Sequence, residues 1–204
     1  RNKMLFPEKT DYYPGSQYGE ISGGVGNSVQ IITAGYPAGS FYLYKQVYSS
    51  SGKPLEGVYF DMDESGSINS ADKRHIKKSY PDWLFGFRSY TEFKNWDLSF
   101  SGRLSLGNYV YNNVSSNAGY SYLYSSSNFL RNLPASAKST AFVTPQYFSD
   151  YFLQNASFFR MDYICLGYNF SDLRSKNLKI HLEAAVRNAF VITGYKGQDP
   201  EVAD

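Results

Sequence analysis

The segment from Trp96 to Gly107 alternates between apolar and polar side chains over its whole length. Its even positions read Trp, Leu, Phe, Gly, Leu and Leu, whereas its odd positions read Asp, Ser, Ser, Arg, Ser and Gly. Because successive side chains of a β-strand point to opposite faces, this period of two predicts a strand with one apolar and one polar face. An ordinary strand has about five or six residues, whereas a tilted strand that crosses a bilayer needs roughly 9 to 11. The length of this segment therefore favours a strand that crosses a membrane.

The composition combines many aromatic rings with a polar background. Aromatic residues make up 18% of the 204 residues, yet the mean hydropathy is negative. Transmembrane barrels show this mixture because aromatic girdles flank a polar lumen, and soluble β-sandwiches can show it too. The formal charge of +2 is small and no basic run is interleaved with aromatics, which excludes a nucleic-acid surface.

Three absences in the sequence narrow the class further. The single cysteine, Cys165, excludes an internal disulfide and a cysteine-built zinc site. No run of about 18 apolar residues occurs, so a transmembrane helix is excluded. The first residues lack the basic start, apolar centre and small-residue cleavage site of a signal peptide. If the chain is exported, we therefore expect it to be a piece of a longer precursor.

Long stretches without a clear period separate the strands. Turn formers dominate residues 1–40, where only Ser28–Ala34 reads as a strand. Ser40–Tyr48 is aromatic and β-branched, which predicts a second strand, followed by a loop at Ser49–Pro54. Asn108–Asn155 is rich in Asn, Ser, Tyr and Gly and has no sustained period. Connections of this length are usually functional.

Other strands meet across short connections. Trp83–Phe93 reaches the alternating segment across Lys94-Asn95, which predicts a tight hairpin. Ser157–Phe170 and Leu178–Phe190 alternate in the same way and are joined by the turn 171–177. Short turns thus alternate with long connections, which is typical of outer-membrane barrels with brief periplasmic turns and long external loops.

Each alternating strand has two faces of opposite polarity. Arg160 and Asp162 stand at the start of their strand, at even-numbered positions like the apolar residues that follow, so they are expected on the apolar face. The apolar faces carry Trp96, Leu98, Phe100, Leu104, Leu106, Ile164, Leu166, Tyr168 and Phe170. The polar faces carry Asp97, Arg103, Lys179, His181, Glu183 and Arg187.

Residues 61–72 have the ligand spacing of a calcium-binding loop. Oxygen-bearing side chains stand at loop positions 1, 3 and 5, a glycine at 6 and a carboxylate at 12. The glycine permits the sharp bend that brings oxygens together around a hard cation. However, a strand-like segment precedes the loop, and its last position is Asp72 instead of a longer bidentate Glu, so an acidic turn without metal is the alternative. The predicted ligands of a structural Ca²⁺ are Asp61, Asp63, Ser65, Ser67, Asn69 and Asp72.

Taken together, these stretches resemble the C-terminal part of a SusC/RagA-type TonB-dependent outer-membrane protein. The resemblance spans nearly the whole chain, and its motifs follow the order of the family. It rests on Gly35–Tyr44, Asp61–Asp72, Pro81–Ser99, Ala156–Asp162 with Leu166–Tyr168, and Arg187–Val202. It implies an all-β fold, in which antiparallel strands form the C-terminal part of a large transmembrane β-barrel of roughly the 22-stranded type with long external loops.

The resemblance also implies a function. Such proteins import oligosaccharides or peptides across the outer membrane, with a SusD-like surface lipoprotein as lid and energy supplied through TonB. Residues 1–204 are then expected to be one barrel segment that lacks the plug domain, the TonB contact and the last strand. The apolar faces are expected to face lipid and the polar faces to line the lumen. The calcium-like loop is expected to be external.

An enzyme is not expected, because His75, His181 and the serine-rich segments form no catalytic motif. Tyr120, Tyr122 and Tyr124 alternate in a predicted external loop, where they could stack on sugar rings or contact the lid. Packing within their own loop is the alternative for these tyrosines. Two other classes stay open for the chain: a secreted soluble β-module that binds calcium and carbohydrate, and a small standalone membrane barrel.

Overall fold

The computed structural model of the protein describes residues 15–21, 27–121, 132–170 and 179–201. The strands of this part are β1 (Ser16–Glu20), β2 (Ser28–Ile32), β3 (Ser40–Leu43), β4 (Gln46–Tyr48), β5 (Pro54–Tyr59), β6 (Arg74–Lys78), β7 (Trp83–Phe93), β8 (Trp96–Leu106), β9 (Tyr109–Tyr111), β10 (Leu153–Asn155), β11 (Phe158–Phe170) and β12 (Ile180–Thr193). Its helices are α1 (Asn113–Ser116) and α2 (Ala135–Thr140), with 3₁₀ turns at Ser70–Asp72 and Asp150–Phe152. Among the described residues, no helix has the length and apolar character needed to cross a membrane.

The four longest strands form one antiparallel sheet, which we call the wall. Its strand order is β12-β11-β8-β7. The register of β7 and β8 runs without a break from the pair Trp83 and Leu106 to the pair Phe93 and Trp96. Lys94 has a positive φ of 55° in the two-residue turn between them, as expected for turns that match the twist of a hairpin. The predicted hairpin and the predicted antiparallel sheet are confirmed.

The rest of the described chain contains the short strands. They form the sheets β1-β2-β3-β6, β4-β5 and β9-β10. These sheets and the segments between them enclose an apolar cluster, which we call the loop core. Its buried members are Ile21, Val29, Phe41, Leu43, Tyr111, Phe142 and Phe152.

The prediction of a single strand at Ser40–Tyr48 was wrong, because the chain changes sheets within it. β3 pairs with β6, whereas β4 pairs with β5. The buried amide of Gln46 supports the change: its Nε2 donates to Leu55 O at 2.6 Å, and its Oε1 accepts from Ser149 Oγ at 2.7 Å. One buried polar side chain thus links β4 to β5 and to Ser149, with both ends of its amide hydrogen-bonded.

The turn-rich start of the chain contains a strand that its composition concealed. β1 pairs with β2 from Ser16 opposite Ile32 to Glu20 opposite Ser28. The expectation of a single strand before residue 40 was therefore wrong, although β2 confirms most of the predicted Ser28–Ala34. β1 has a polar sequence and a glycine with a φ of 70° at Gly19, so no side-chain period indicated it.

Candidate functional site

The wall has one apolar face, and the nine residues predicted for such a face share it. Trp96 lies opposite Tyr168, Leu98 opposite Leu166 and Phe100 opposite Ile164. Leu98 and Leu166 keep 37% and 44% of their surface exposed, so no described residue covers this face. Further pairs on it include Leu104 with Phe159, Leu106 with Trp83, and Phe170 with Ile180.

The opposite face of the wall is polar. Gly167 on β11 pairs with Asp97 on one side and with Glu183 on the other, so the two carboxylates lie in one row across three strands. Arg187 pairs with Tyr163, and His181 pairs with Asn169. The structure also places Arg103 on this face, and Lys179 directly precedes β12.

A β-bulge changes which side chains of β11 reach the polar face. Tyr163 pairs with Ser101, but Met161 pairs with Gly102, so Asp162 is an extra residue in β11. Arg160 therefore lies opposite Arg103. The expectation that Arg160 and Asp162 share the apolar parity was wrong, because a bulge shifts the alternation by one residue.

An ionic network at the bulge ties the segment after β12 to the wall. Arg160 Nη2 donates to both carboxylate oxygens of Asp199, at 2.6 and 2.8 Å. Arg160 Nε lies 2.7 Å from Glu201 Oε2, and Arg103 Nη2 lies 3.0 Å from the same oxygen. Arg103 also contacts Asp162 at 3.3 Å. The Glu201 N–H and the Arg160 guanidinium lower the pKa of Asp199, so this carboxylate stays ionised.

Sequence reasoning placed only Arg103 of this network on the polar face and missed its other four members: Arg160, Asp162, Asp199 and Glu201. The acidic partners of Arg160 and the ring of Phe158, whose centre lies 5.7 Å from Arg160 Cζ, cover the guanidinium. Arg160 and Asp199 are 39 positions apart, which is beyond the reach of strand periodicity. The acidic pair that flanks Pro200 was the only local signal.

A second polar cluster joins β8 and β12 across β11. His181 Nε2 lies 2.8 Å from Asp97 Oδ1, and His181 Nδ1 lies 3.6 Å from Glu183 Oε1. Gly167 makes the contact feasible, because an ideal Cβ there would lie 2.5 Å from Asp97 Oδ1. The three titratable groups are close enough together to hold a cation between them.

The acidic loop brings together three of its six predicted ligands. Ligand oxygens of Asp61, Asp63 and Asp72 all lie within 4.8 Å of one another. Asp61 Oδ2 accepts from Gly66 N at 2.7 Å, and Gly66 makes the sharp bend with a φ of 81°. Asp72 is fully buried and accepts from Met62 N at 2.7 Å. The backbone therefore holds the carboxylates in place.

Hydrogen bonds lower the pKa of two of these carboxylates, Asp63 and Asp72. The side chain and N–H of Ser65 lower the pKa of Asp63. The N–H groups of Asn69 and Met62 lower the pKa of Asp72. Of the other predicted ligands, Ser65 Oγ donates to Ser67 O, and Asn69 Oδ1 accepts from Ala71 N. The structure thus assigns the side chains of Ser65 and Asn69 to the turn.

Of the three tyrosines predicted to bind substrate or lid, the structure describes one. Tyr120 is half-buried, and its N–H donates to Phe142 O at 2.9 Å, beside the loop core. Tyr122 and Tyr124 lie outside the described residues. The structure therefore leaves the binding role of this tyrosine group a prediction.

Comparisons with known proteins agree on one class. No family model matches the chain. The chain is 42% identical over 208 residues to the TonB-dependent receptor SusC of Bacteroides thetaiotaomicron, with 98% of the chain and 20% of the relative covered. It is 28% identical over 228 residues to the TonB-dependent receptor P3 of Formosa agariphila, with 98% of the chain and 22% of the relative covered.

Solved structures show the same fold. The RagAB peptide importer in its open-open state matches with a TM-score of 0.59 and 21% identity, covering 90% of this chain and 22% of that chain. The RagAB peptide transporter matches with a TM-score of 0.58 and 23% identity, covering 87% of this chain and 22% of that chain. The chain thus shares its fold with about a fifth of the matched RagAB chain.

The two-faced wall, its long connections at one end and the sequence similarity define a segment of a TonB-dependent receptor. Within that class, the chain belongs to the SusC/RagA type. It spans about a fifth of the length of the relatives it matches, from 20% to 22%.

Proposed function

We propose that this chain is the C-terminal part of the barrel of an outer-membrane importer for oligosaccharides or peptides. The wall contributes four adjacent strands to the barrel, the apolar face contacts lipid, and the polar face lines the lumen. The chain performs no catalysis. Its part in transport is to enclose the path and to present external loops to substrate.

One observation carries this proposal: large apolar side chains cover one face of the wall and stay exposed. Phe93 and Leu182 keep 67% and 60% of their surface exposed. Water would disfavour such a surface by about 25 cal/mol for each Å², whereas lipid tails solvate it. The charged residues of the opposite face then meet the water-filled lumen, as the alternation of transmembrane barrel strands requires.

The partners follow from the same assignment. The polar face of the wall faces a plug domain, which another part of the full-length receptor supplies. That other part also makes the TonB contact. External loops, including the loop core, meet a SusD-like lipoprotein that closes over the substrate. The similarity to SusC and to RagAB supports these partners.

The experiment compares two arginine substitutions in β8 of the full-length receptor, folded into lipid vesicles. Phe100→Arg places a charge on the apolar face, and it should lower the free energy of unfolding by about 2 to 4 kcal/mol near the bilayer midplane. Ser99→Arg adds the same side chain to the polar face, next to Tyr90 and Cys165, and should cost much less. Equal costs for the two variants would reject the lipid-facing assignment.

We also propose that the acidic loop binds a structural Ca²⁺. Three charged carboxylates converge on one point, while their backbone hydrogen bonds and the Gly66 bend hold them there. Side-chain oxygens of Asp61, Asp63 and Asp72 supply the charge, and waters or backbone oxygens complete the six or more ligands that the ion needs. The ion stabilises an external loop and takes no part in the transport step.

Calcium titration of the full-length receptor tests the second proposal. Calcium at about 100 times its Kd should stabilise the folded loop by about 2.7 kcal/mol, which protection of residues 61–72 from proteolysis would report. Asp61→Ala should abolish the protection. Glu64→Gln is the matched control, because Glu64 is an exposed acid of the same loop outside the cluster. A loop that calcium leaves equally sensitive to protease would reject the site.

A further inference from the structure

A surface cavity lies where the apolar face of the wall meets the external loops. It has a volume of about 680 Å³ and is lined by Trp83 and Leu106, the outermost pair of β7 and β8 on that face. Pro37, Tyr80 and Lys78 from the external loops line its other side. The cavity is therefore continuous with the surface that we assign to lipid, and it lies at the external boundary of that surface.

Two consecutive lysines lie at this boundary. A second cavity of about 340 Å³ adjoins the first, shares Lys78 with it, and is also lined by Lys77. In a regular strand, neighbouring side chains point to opposite faces. Here the pairing of β3 with β6 shifts between Ser40 opposite Lys78 and Phe41 opposite Ile76. The shift leaves Lys77 as an extra residue, so both lysines line the same cavity.

The backbone at this bulge is strained. Lys77 has a φ of 46°, a left-handed conformation that costs a non-glycine residue of order 1 kcal/mol or more. Strained residues persist where the surrounding structure holds them, and they cluster at binding sites. The neighbouring Ile76 packs against the loop core, which fixes the register that directs Lys77 into the cavity.

The second cavity carries a net positive charge. Lys78 Nζ lies 2.7 Å from Asp82 Oδ1, which neutralises one lysine. Lys77 Nζ lies 5.2 Å from the centre of the Tyr109 ring, and no carboxylate of the described residues pairs with it. Burial lowers the pKa of His75, which also lines the cavity, so its imidazole is neutral at neutral pH and does not alter this balance.

We propose that these two adjoining cavities bind an outer-leaflet glycolipid, with its phosphorylated headgroup in the second cavity and the start of its acyl chains in the first. Lys77 holds the phosphate, with Lys78 beside it, and Trp83 and Leu106 contact the first part of the acyl chains. Basic pockets beside a membrane surface bind anionic lipid headgroups, and tryptophan is enriched at the membrane–water interface. The proposal rests on the proposed function, which places the wall in the outer membrane. It adds a lipid ligand on the outer surface of a receptor whose substrate passes through the lumen.

Native mass spectrometry of the full-length receptor with added lipid A tests the proposal. The double variant Lys77→Asn, Lys78→Gln removes both charges, and asparagine tolerates the left-handed conformation at position 77. We expect about tenfold weaker lipid A binding, because each basic residue near an anionic lipid surface contributes to affinity. The control Lys53→Ala, Lys138→Ala removes two exposed lysines elsewhere in the loops and should bind like the unchanged receptor.

Two further measurements test whether the ligand is the whole lipid and whether positive charge at position 77 is what binds it. Millimolar inorganic phosphate should leave lipid A bound, and Lys77→Arg should keep the binding. Unchanged affinity in the double variant, equal loss in the control pair or displacement by free phosphate would each overturn the lipid site. A receptor that binds lipid A but imports nothing contradicts only the importer assignment, whereas import without lipid A binding contradicts only this site.

Discussion

The loop core and the wall use the same residue types in opposite ways. In the loop core, Leu43 and Phe152 are 0% and 2% exposed. In the wall, Leu182 and Phe93 are 60% and 67% exposed. One chain thus contains a conventional apolar interior, and next to it a sheet whose apolar side points outward.

The proposed membrane accounts for the difference, because burial depends on the solvent around each region. In the loop core, leucines and phenylalanines gain free energy by packing against one another away from water. In the proposed membrane, the outer face of the wall meets lipid tails that are as apolar as leucine. The polar groups follow the same rule in reverse, since the charges of the wall gather on the side away from lipid.

Truncating one leucine in each region should give the largest difference in stability between the loop core and the wall. Leu43→Ala should lower the stability of the loop core by about 2 to 5 kcal/mol, because it leaves a cavity in a packed interior. Leu182→Ala should cost less than about 1 kcal/mol, because lipid can refill the space at an exposed position. Native-state hydrogen exchange of β2, β3 and β12 in the membrane-embedded receptor would report both values.

The two variants are matched controls for each other, since the same atoms are removed. If Leu182→Ala cost as much as Leu43→Ala, the outer face of the wall would be packed against protein. In that event the wall would be half of a sandwich, and the class of soluble β-modules would regain support.

The wall could be predicted from sequence because its signal is local and long. Alternation over 11 residues in β8 and 13 residues in β11 sets the faces, and a two-residue connection sets the hairpin. The bulge at Asp162 escaped prediction, because one extra residue leaves both flanking stretches alternating normally. Its consequence, the position of Arg160 opposite Arg103, needed the register of the neighbouring strand.

The loop core could not be predicted, for a different reason. Its members come from short strands and irregular segments that are far apart in sequence, such as Val29 and Phe142. No sustained period marks segments that contribute only one or two side chains each, such as Phe41 and Leu43 of β3. The acidic loop is intermediate: its spacing predicted that Asp61, Asp63 and Asp72 converge, but not that Asn69 caps the 3₁₀ turn.

A smaller effect is expected where the polar face needs a residue without a side chain. Gly167→Ala would place a Cβ against Asp97 and His181, closer than atoms pack. We expect a loss of about 1 to 3 kcal/mol, as for other overpacked sites, together with separation of the His181 ring from Asp97. The free energy of unfolding in vesicles and the ring-proton NMR shifts of His181 would measure the two effects.

Gly86→Ala is the matched control, because Gly86 lies on the same face of β7 and has no atom within 4 Å of the added Cβ. Alanine there should be neutral or slightly stabilising, since it reduces the freedom of the unfolded chain. Equal effects of the two substitutions would mean that Asp97 and His181 can move apart without loss of folding free energy. A loss confined to Gly167→Ala would show that the polar face is packed specifically where Asp97 and His181 meet and is open at Gly86.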